Sequence, residues 1–462
     1  MNRFSAILPL FVLTASLFSA EQAGFSPPQD VGSKADLGRG IQRTMRLLAS
    51  STPEHRNTVG VLFYGQSITE QKWSQEVANY LKTQFPNANL IIENRAIGGF
   101  ASQLLVKTAE TDLYPFYPDL LIFHVYGSHI EYENIIKRVR QRTTAEILVQ
   151  TDHVTKDENL REETDAGKLT PKNWDPWMNY SFLPGIAEKY QCELVDQRNL
   201  WKKYLQQTGL SASNLLSDGV HLNDHGSYLM AELVKAHLRF REDVTAAPAD
   251  SWVSTMNLSD FRTDQGTLKL DIVGNRVDLV LGTEMKEPIE VIIDGRKPSE
   301  FPELYGFSRT TAYPGSKWPC LLRVESEKPL QLEEWTATIK DATTDLKSFK
   351  FAVSGSKTGP DGEGSSERKF VSRSGRVMID PADWNFVYAL KIFKKPLPEN
   401  FKVQWKVIPH FMDSVEPESV DSRIEAVRTV ALGLPNKRHT VELRGVAPGA
   451  IEKLRVYRPR NS

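Results

Sequence analysis

Ser67, Asp218 and His221 are the residues of this chain whose types and spacing can act together. Ser67 lies in Tyr64-Gly65-Gln66-Ser67-Ile68-Thr69, directly after an apolar run and ahead of a helical pattern, so its hydroxyl is held at a strand-to-helix turn. Asp218 and His221 lie far downstream in Ser217-Asp218-Gly219-Val220-His221-Leu222, just before another helical pattern. With i, i+3 spacing in a turn, the carboxylate can accept from Nδ1–H of the imidazole while Nε2 faces a serine. The imidazole can then take the serine proton, while the carboxylate fixes its tautomer and stabilises the imidazolium that forms. In the chain order Ser, Asp, His these are the parts of a nucleophilic serine hydrolase. Each piece also has a plainer use. A serine at that turn can simply cap the helix, and Asp-Gly suits a surface turn with a helix-capping aspartate. Asp224 and His225 add a metal reading, but no other compact set of ligands accompanies them, and no metal is expected.

Two further segments bear on such a site. Asn94-Arg95-Ala96-Ile97-Gly98-Gly99-Phe100 follows the second strand-like run, and its glycines let backbone approach a ligand closely. An amide of Gly99 can then join the N–H of Ser67 in stabilising an oxyanion; the alternative is an ordinary strand-to-helix turn. Trp174 and Trp177, with Tyr180, sit in a long polar excursion over residues 152–185. There they can either stack on sugar rings or pin the loop onto the body of the domain. An excursion of that length either covers a site or is partly helical.

The elements that position these residues are legible as alternation. Val59–Phe63, Leu90–Ile92, Asp119–Val125, Ile147–Val149 and Glu193–Val195 read as short buried strands. Trp73, Val77, Leu81 and Phe85 recur at helical spacing, Ile135, Ile136 and Val139 mark one helix face, and Tyr228–Leu238 closes the pattern. Strands separated by helices predict a parallel sheet covered on both faces, with ligands gathered beyond the carboxyl ends of the strands. Beyond Phe240, Ala246-Ala247-Pro248-Ala249 reads as a linker and the texture becomes β-rich. Strand-like runs are expected at Leu268–Ile272, Val277–Leu281, Ile289–Ile293, Phe349–Val353, Val387–Phe393, Phe401–Ile408, Val427–Leu432, His439–Leu443 and Leu454–Tyr457. These predict one or two β-sandwiches, with Ser354–Ser374 as an exposed loop and Pro435–Leu443 as part of a closing hairpin.

Composition narrows the partners. A net charge of -1 over 462 residues gives no electrostatic case for nucleic acid or for an acidic membrane surface. Arg3 followed by the uncharged Phe4–Ala20 reads as a cleaved export signal over residues 1–23. The expectation is therefore a secreted or periplasmic protein with no membrane anchor after cleavage. Cys192 and Cys320 fall in different predicted domains and are expected to be unpaired thiols.

On these motifs the stretch from about residue 59 to 240 resembles the SGNH (GDSL-type) hydrolase superfamily. The Ser67 segment is similar to that family's first block, with Gln66 where an aspartate is usual; a Gly-Gln-Ser version occurs in the related sialate O-acetylesterases. Gly99 matches the glycine of the second block, and Asp218-Gly219-Val220-His221 matches the Asp-x-x-His block closely. The third block departs: where the family has Gly-x-Asn-Asp, this chain has Gly127-Ser128-His129-Ile130. The resemblance implies a three-layer α/β/α flavodoxin-like fold, no cofactor, and hydrolysis of esters, often acetyl groups on carbohydrates. His129 can replace the oxyanion asparagine through Nε2–H, or it can be structural.

The expected organisation is a leader (1–23), an N-terminal segment (24–58), an SGNH-like α/β domain (59–245) and a β-sandwich region (250–462) that can bind carbohydrate. The expected activity is that of an exported serine esterase acting on O-acetyl groups of a glycan. Ser67 is its nucleophile, His221 its base and Asp218 the group that orients His221. Ser67, Gly99 and His129 would form the oxyanion hole, and Trp174 and Trp177 are candidate substrate contacts. A thioester or lipid ester is a variant of that reading. The alternative is an SGNH-like protein that has lost activity and serves as a carbohydrate-binding or scaffold module.

Overall fold

The computed structural model describes residues 24–244, 248–258, 264–419 and 421–460. The expected leader, and Ala246-Ala247 of the expected linker, lie outside them. Five parallel strands form the first sheet: β1 (Thr58–Gly65), β2 (Asn89–Asn94), β3 (Leu120–His124), β4 (Glu146–Gln150) and β5 (Glu193–Val195), in the order β2-β1-β3-β4-β5. Every residue of β3 and β4 is buried, as central strands covered on both faces must be. Edge strand β2 leaves Ile91 half exposed.

Helices cover both faces: α1 (Gln42–Ala49), α2 (Ser67–Glu70), α3 (Lys72–Gln84), α4 (Ser102–Asp112), α5 (His129–Arg142), α6 (Trp174–Trp177), α7 (Leu183–Tyr190), α8 (Gln197–Thr208) and α9 (Asp224–His237). Successive β1 residues point to opposite layers. Val61 and Phe63 join Trp73, Val77 and Leu81 of α3 with Leu229 and Leu233 of α9. Leu62 and Tyr64 join Leu105 of α4 with Ile135, Ile136 and Val139 of α5. The chain leaves β1 for β2 on one side and returns to β3 on the other. A crevice therefore opens beyond the carboxyl ends of β1 and β3.

The excursion over 152–185 is partly helical, with short 3₁₀ turns, α6 and a π-turn (Met178–Phe182) leading into α7. Arg198 of α8, 1% exposed, anchors it through Glu162 and Asp175, each at 2.7 Å.

The second half is antiparallel. β16 (Ser414–Val415), β8 (Ile289–Ile293), β17 (Ala426–Arg444), β7 (Thr267–Leu281), β18 (Ile451–Tyr457) and β6 (Val253–Asn257) lie side by side in that order, around a core that includes Leu279, Val291, Leu443 and Leu454. A second sheet holds β12 (Gly359–Ser365), β11 (Lys350–Gly355), β10 (Glu334–Lys340), β15 (Lys402–Pro409) and β9 (Tyr305–Phe307). β13 (Phe370–Val371) and β14 (Met378–Ile379) pair separately. Trp335, Val353 and Val403 of the second sheet belong to the same continuous apolar cluster as Ile97, Phe100 and Leu105 of the α/β layer.

Five expectations for this half are corrected. Val387–Phe393 is not a strand but most of helix α10 (Phe386–Phe393), burying Phe386 and Ala389 at i, i+3; a short apolar run carries no period that separates the two. Leu268–Ile272 and Val277–Leu281 are two halves of one strand, β7. Val427–Leu432 and His439–Leu443 are likewise one strand, β17, and the expected hairpin at Pro435–Leu443 does not form. Its register instead shifts between Leu432 and Lys437, as a bulge lets Pro435 sit in a long strand without donating to the ladder. Ser354–Ser374 contains β12 and β13 rather than only an exposed loop. Asp361 of β12 is buried because Ser374 donates to it through both N–H and Oγ–H.

Candidate active site

Strand β1 ends at Gly65, where nothing larger fits: a Cβ there would stand 2.1 Å from the His124 carbonyl oxygen and 2.4 Å from Thr69 Oγ1. Gln66 is extended, and α2 begins at Ser67 with no side chain capping it. Thr69 Oγ1 donates to the His124 carbonyl at 3.1 Å, which ties α2 to the end of β3. The Ser67 hydroxyl is thus free of a capping role. Because α2 is a single turn, an oxyanion beside it depends on individual N–H groups rather than on a long helix dipole.

His221 Nε2 lies 3.0 Å from Ser67 Oγ, and His221 Nδ1 lies 2.8 Å from Asp218 Oδ2. The other carboxylate oxygen of Asp218 accepts the backbone N–H of Val220 and of His221, each at 2.7 Å. Those backbone donors, the His221 one foremost, with the His221 side chain hold the Asp218 carboxyl down at about 2. The pair is open to solvent, with side chains 40% and 57% exposed. Asn223, not Asp218, caps the next helix, accepting from Gly226 N–H.

The turn carrying His221 is held from two sides by residues that motif reading did not single out. Gln71, at the α2–α3 junction, donates Nε2–H to the Leu222 carbonyl at 2.9 Å and accepts the Leu222 N–H at 3.0 Å. His153, just past β4, donates Nε2–H to the Val220 carbonyl at 2.8 Å. The signal available for His153 was its place beyond the carboxyl end of a central strand.

His153 makes the fold acid-sensitive. Burial pushes its pKa from 6.5 down to about 4, against the pull of Asp152 and with help from His124 and Arg198. Between those values the unfolded chain binds a proton that the folded chain refuses. Stability is then intact above 6.5 and falls as pH drops toward 4, by about 3 kcal/mol at most from this group. His153→Gln keeps an N–H for Val220 and should flatten that part of the slope. Urea unfolding of both proteins near neutrality and near pH 4 checks it, and equal pH dependence would refute the assignment.

The Gly98-Gly99 turn lies beside Ser67. Ile97 N–H donates to the Gly65 carbonyl at 3.0 Å, and a Cβ on Gly98 would stand 3.5 Å from Ser67 Cβ. Gly99 has φ +82°, in the region that favours glycine. His129 is the first residue of α5, behind the capping hydroxyl of Ser128. Its ring meets Trp177 and Phe182 edge-on, at 5.1 and 5.6 Å between centroids. Trp174 and Trp177 are half-buried against the α5 and α7 side of the core, and Tyr180 donates its hydroxyl to Glu162 at 2.8 Å. His225 stacks on Phe25 and shares a hydrogen bond with Tyr204, while Asp224 pairs with Lys72. Among the described residues no helix is long and apolar enough to cross a membrane, and both cysteines are unpaired.

No family profile matches the chain, and no curated protein matches it in sequence. Among solved structures it is similar to a two-domain esterase (CEX) active on acetylated mannans, at 14% identity, covering 92% of this chain and 96% of that one with a TM-score of 0.36. It is also similar to Axe2, an acetylxylan esterase from Geobacillus stearothermophilus (17% identity, 41% and 98% coverage, TM-score 0.34). A third is the acetyl xylan esterase AlAXEase (20% identity, 38% and 98% coverage, TM-score 0.32). At such identities and scores these likenesses say nothing of the reaction this chain performs. Its own geometry is that of a three-layer α/β/α fold with the β2-β1-β3-β4-β5 sheet, which brings Ser67, the Gly98-Gly99 turn and the Asp218–His221 pair together at the carboxyl ends of the strands.

Proposed function

We propose that the chain is an exported serine esterase that removes O-acetyl groups from a carbohydrate. The observation that carries this reading is the 3.0 Å approach of His221 Nε2 to Ser67 Oγ, with Asp218 behind the imidazole. Ser67 Oγ attacks the ester carbonyl while His221 takes its proton. The N–H groups of Ser67 and Gly99 stabilise the tetrahedral oxyanion. Its collapse expels the sugar hydroxyl, protonated by His221, and leaves an acyl-serine. Water, deprotonated by His221, then releases acetate and restores the enzyme. The open rim around Asp218 and His221 suits an ester displayed on a large polar molecule. In this reading residues 59–245 supply the chemistry, 250–462 form the β-rich region and 1–23 direct export. His129, whose ring packs edge-on against Trp177 and Phe182, is the candidate third donor through Nε2–H.

That packing is also what favours the second reading, a carbohydrate-binding scaffold without activity. The two part cleanly. The esterase releases acetate from acetylated xylan or mannan and, treated with a fluorophosphonate, gains a phosphonyl group with loss of HF on the peptide containing Ser67. A folded protein that does neither, yet is retained on a polysaccharide column, is the scaffold.

A further inference from the structure

The second half of the chain reaches the proposed ester site at the Gly98-Gly99 turn. Trp318, in the segment between β9 and β10, donates Nε1–H to the Gly98 carbonyl at 2.7 Å. Tyr388 of α10 donates its hydroxyl to the Gly99 carbonyl at 2.9 Å. The two rings pack on one another at 4.8 Å, and Trp318 is backed by Phe393 at 4.8 Å and Phe100 at 5.1 Å. Trp318 is 6% exposed, so its ring is fixed by packing. The contact leaves no slack at Gly99, where a Cβ would stand 2.4 Å from Trp318 Cζ2.

The Gly98 carbonyl and the Gly99 N–H belong to one peptide plane, and in a trans peptide they point in opposite directions. Whatever fixes that oxygen therefore aims that hydrogen. Two consecutive glycines are the softest backbone available, so without an outside hold this plane can turn. A hydrogen bond to the carbonyl also polarises the amide and strengthens its N–H as a donor. We infer that Trp318 and Tyr388 are positioning residues for ester hydrolysis, holding the Gly98-Gly99 turn by its two carbonyls so that Gly99 N–H stays aimed at the oxyanion. The inference rests on the esterase reading above. It makes the β-rich half a working wall of the site rather than a separable appendage. The same residues, with Ile392 and Phe393, line a cleft of about 350 Å³ beside the turn.

Trp318→Phe keeps an aromatic ring in the core but removes the N–H donor together with part of the indole; Tyr388→Phe removes only the hydroxyl. The expected result is a fall in kcat for p-nitrophenyl acetate of roughly tenfold for Trp318→Phe and less for Tyr388→Phe, with KM close to wild type in both and a melting temperature close to wild type for Tyr388→Phe but lowered for Trp318→Phe by the cavity it leaves. Val387→Ala, on the exposed side of the same helix, serves as a control with wild-type kcat. Should Trp318→Phe fail to fold, the half-buried Tyr388 carries the test alone. Wild-type kcat in both folded variants overturns the inference, as does a loss confined to KM. If Ser67→Ala is inactive while these variants are not, this inference alone fails; if Ser67→Ala stays active, the esterase reading fails first.

Discussion

Ser67→Ala is expected to stay folded, lose hydrolysis of p-nitrophenyl acetate by a factor on the order of 10⁴–10⁶, and take no fluorophosphonate label. The size follows from what is deleted. Without Oγ there is no covalent route, and what survives is the help that the two backbone donors and binding give to direct attack by water. The fold should barely respond. Ser67 is half-buried and His221 faces solvent, so the imidazole left behind finds water and no buried polar group is orphaned. A change in stability within about 1 kcal/mol is the expectation. His221→Ala should match Ser67→Ala in size, and the double variant should be no slower than either, because residues acting as one unit do not add. A full product of the two losses would mean that the serine and the imidazole act independently. Retained activity in Ser67→Ala would remove the hydroxyl from the reaction altogether.

The parts of the candidate triad were legible because each of them is local. Ser67 follows an apolar strand, and Asp218 and His221 share one turn; only their meeting, with His221 154 residues beyond Ser67, needed the fold. The parallel sheet was legible for a similar reason, since buried strands such as Leu120–His124 are apolar at nearly every position. The β-rich half was harder. Val387–Phe393 has the composition of a buried strand, and only Asn385 before it and the left-handed Lys394 after it mark it as a helix. β17 was divided because Gly433–Asn436 reads as a turn, whereas the strand absorbs it as an irregularity. β10 did alternate buried and open residues, but Glu334-Trp335-Thr336-Ala337-Thr338 is too polar to stand out. Trp318 and Tyr388 had no local signal at all. Their importance comes from carbonyls 220 and 289 residues away in the chain, and long-range contacts of that kind leave no period to read.

Asp218→Asn is the sharpest test of how the imidazole is held, and its expected effect is a fall in kcat of about 10²–10⁴ with KM little changed. In the native turn one carboxylate oxygen accepts two backbone N–H groups while the other faces His221 Nδ1. An asparagine keeps its Oδ1 toward those two donors, because turning the amide around would set its NH₂ against two N–H groups. Its NH₂ then faces Nδ1, which must become an acceptor, and the ring proton moves to Nε2. That tautomer donates to Ser67 Oγ and has no lone pair with which to take the serine proton. Solvent around the open pair softens the penalty, because water can compete for Nδ1 and restore some of the working tautomer; this sets the lower end of the range. The native carboxyl, held at about 2 by the same two amides and His221, stays ionised through the mildly acidic and neutral range. The variant's deficit should therefore be nearly constant with pH across it, as a pH–rate profile of both proteins would show. A deficit that vanishes toward higher pH would mean that Asp218 acts only by stabilising the charged imidazole, and not by fixing which nitrogen carries the proton.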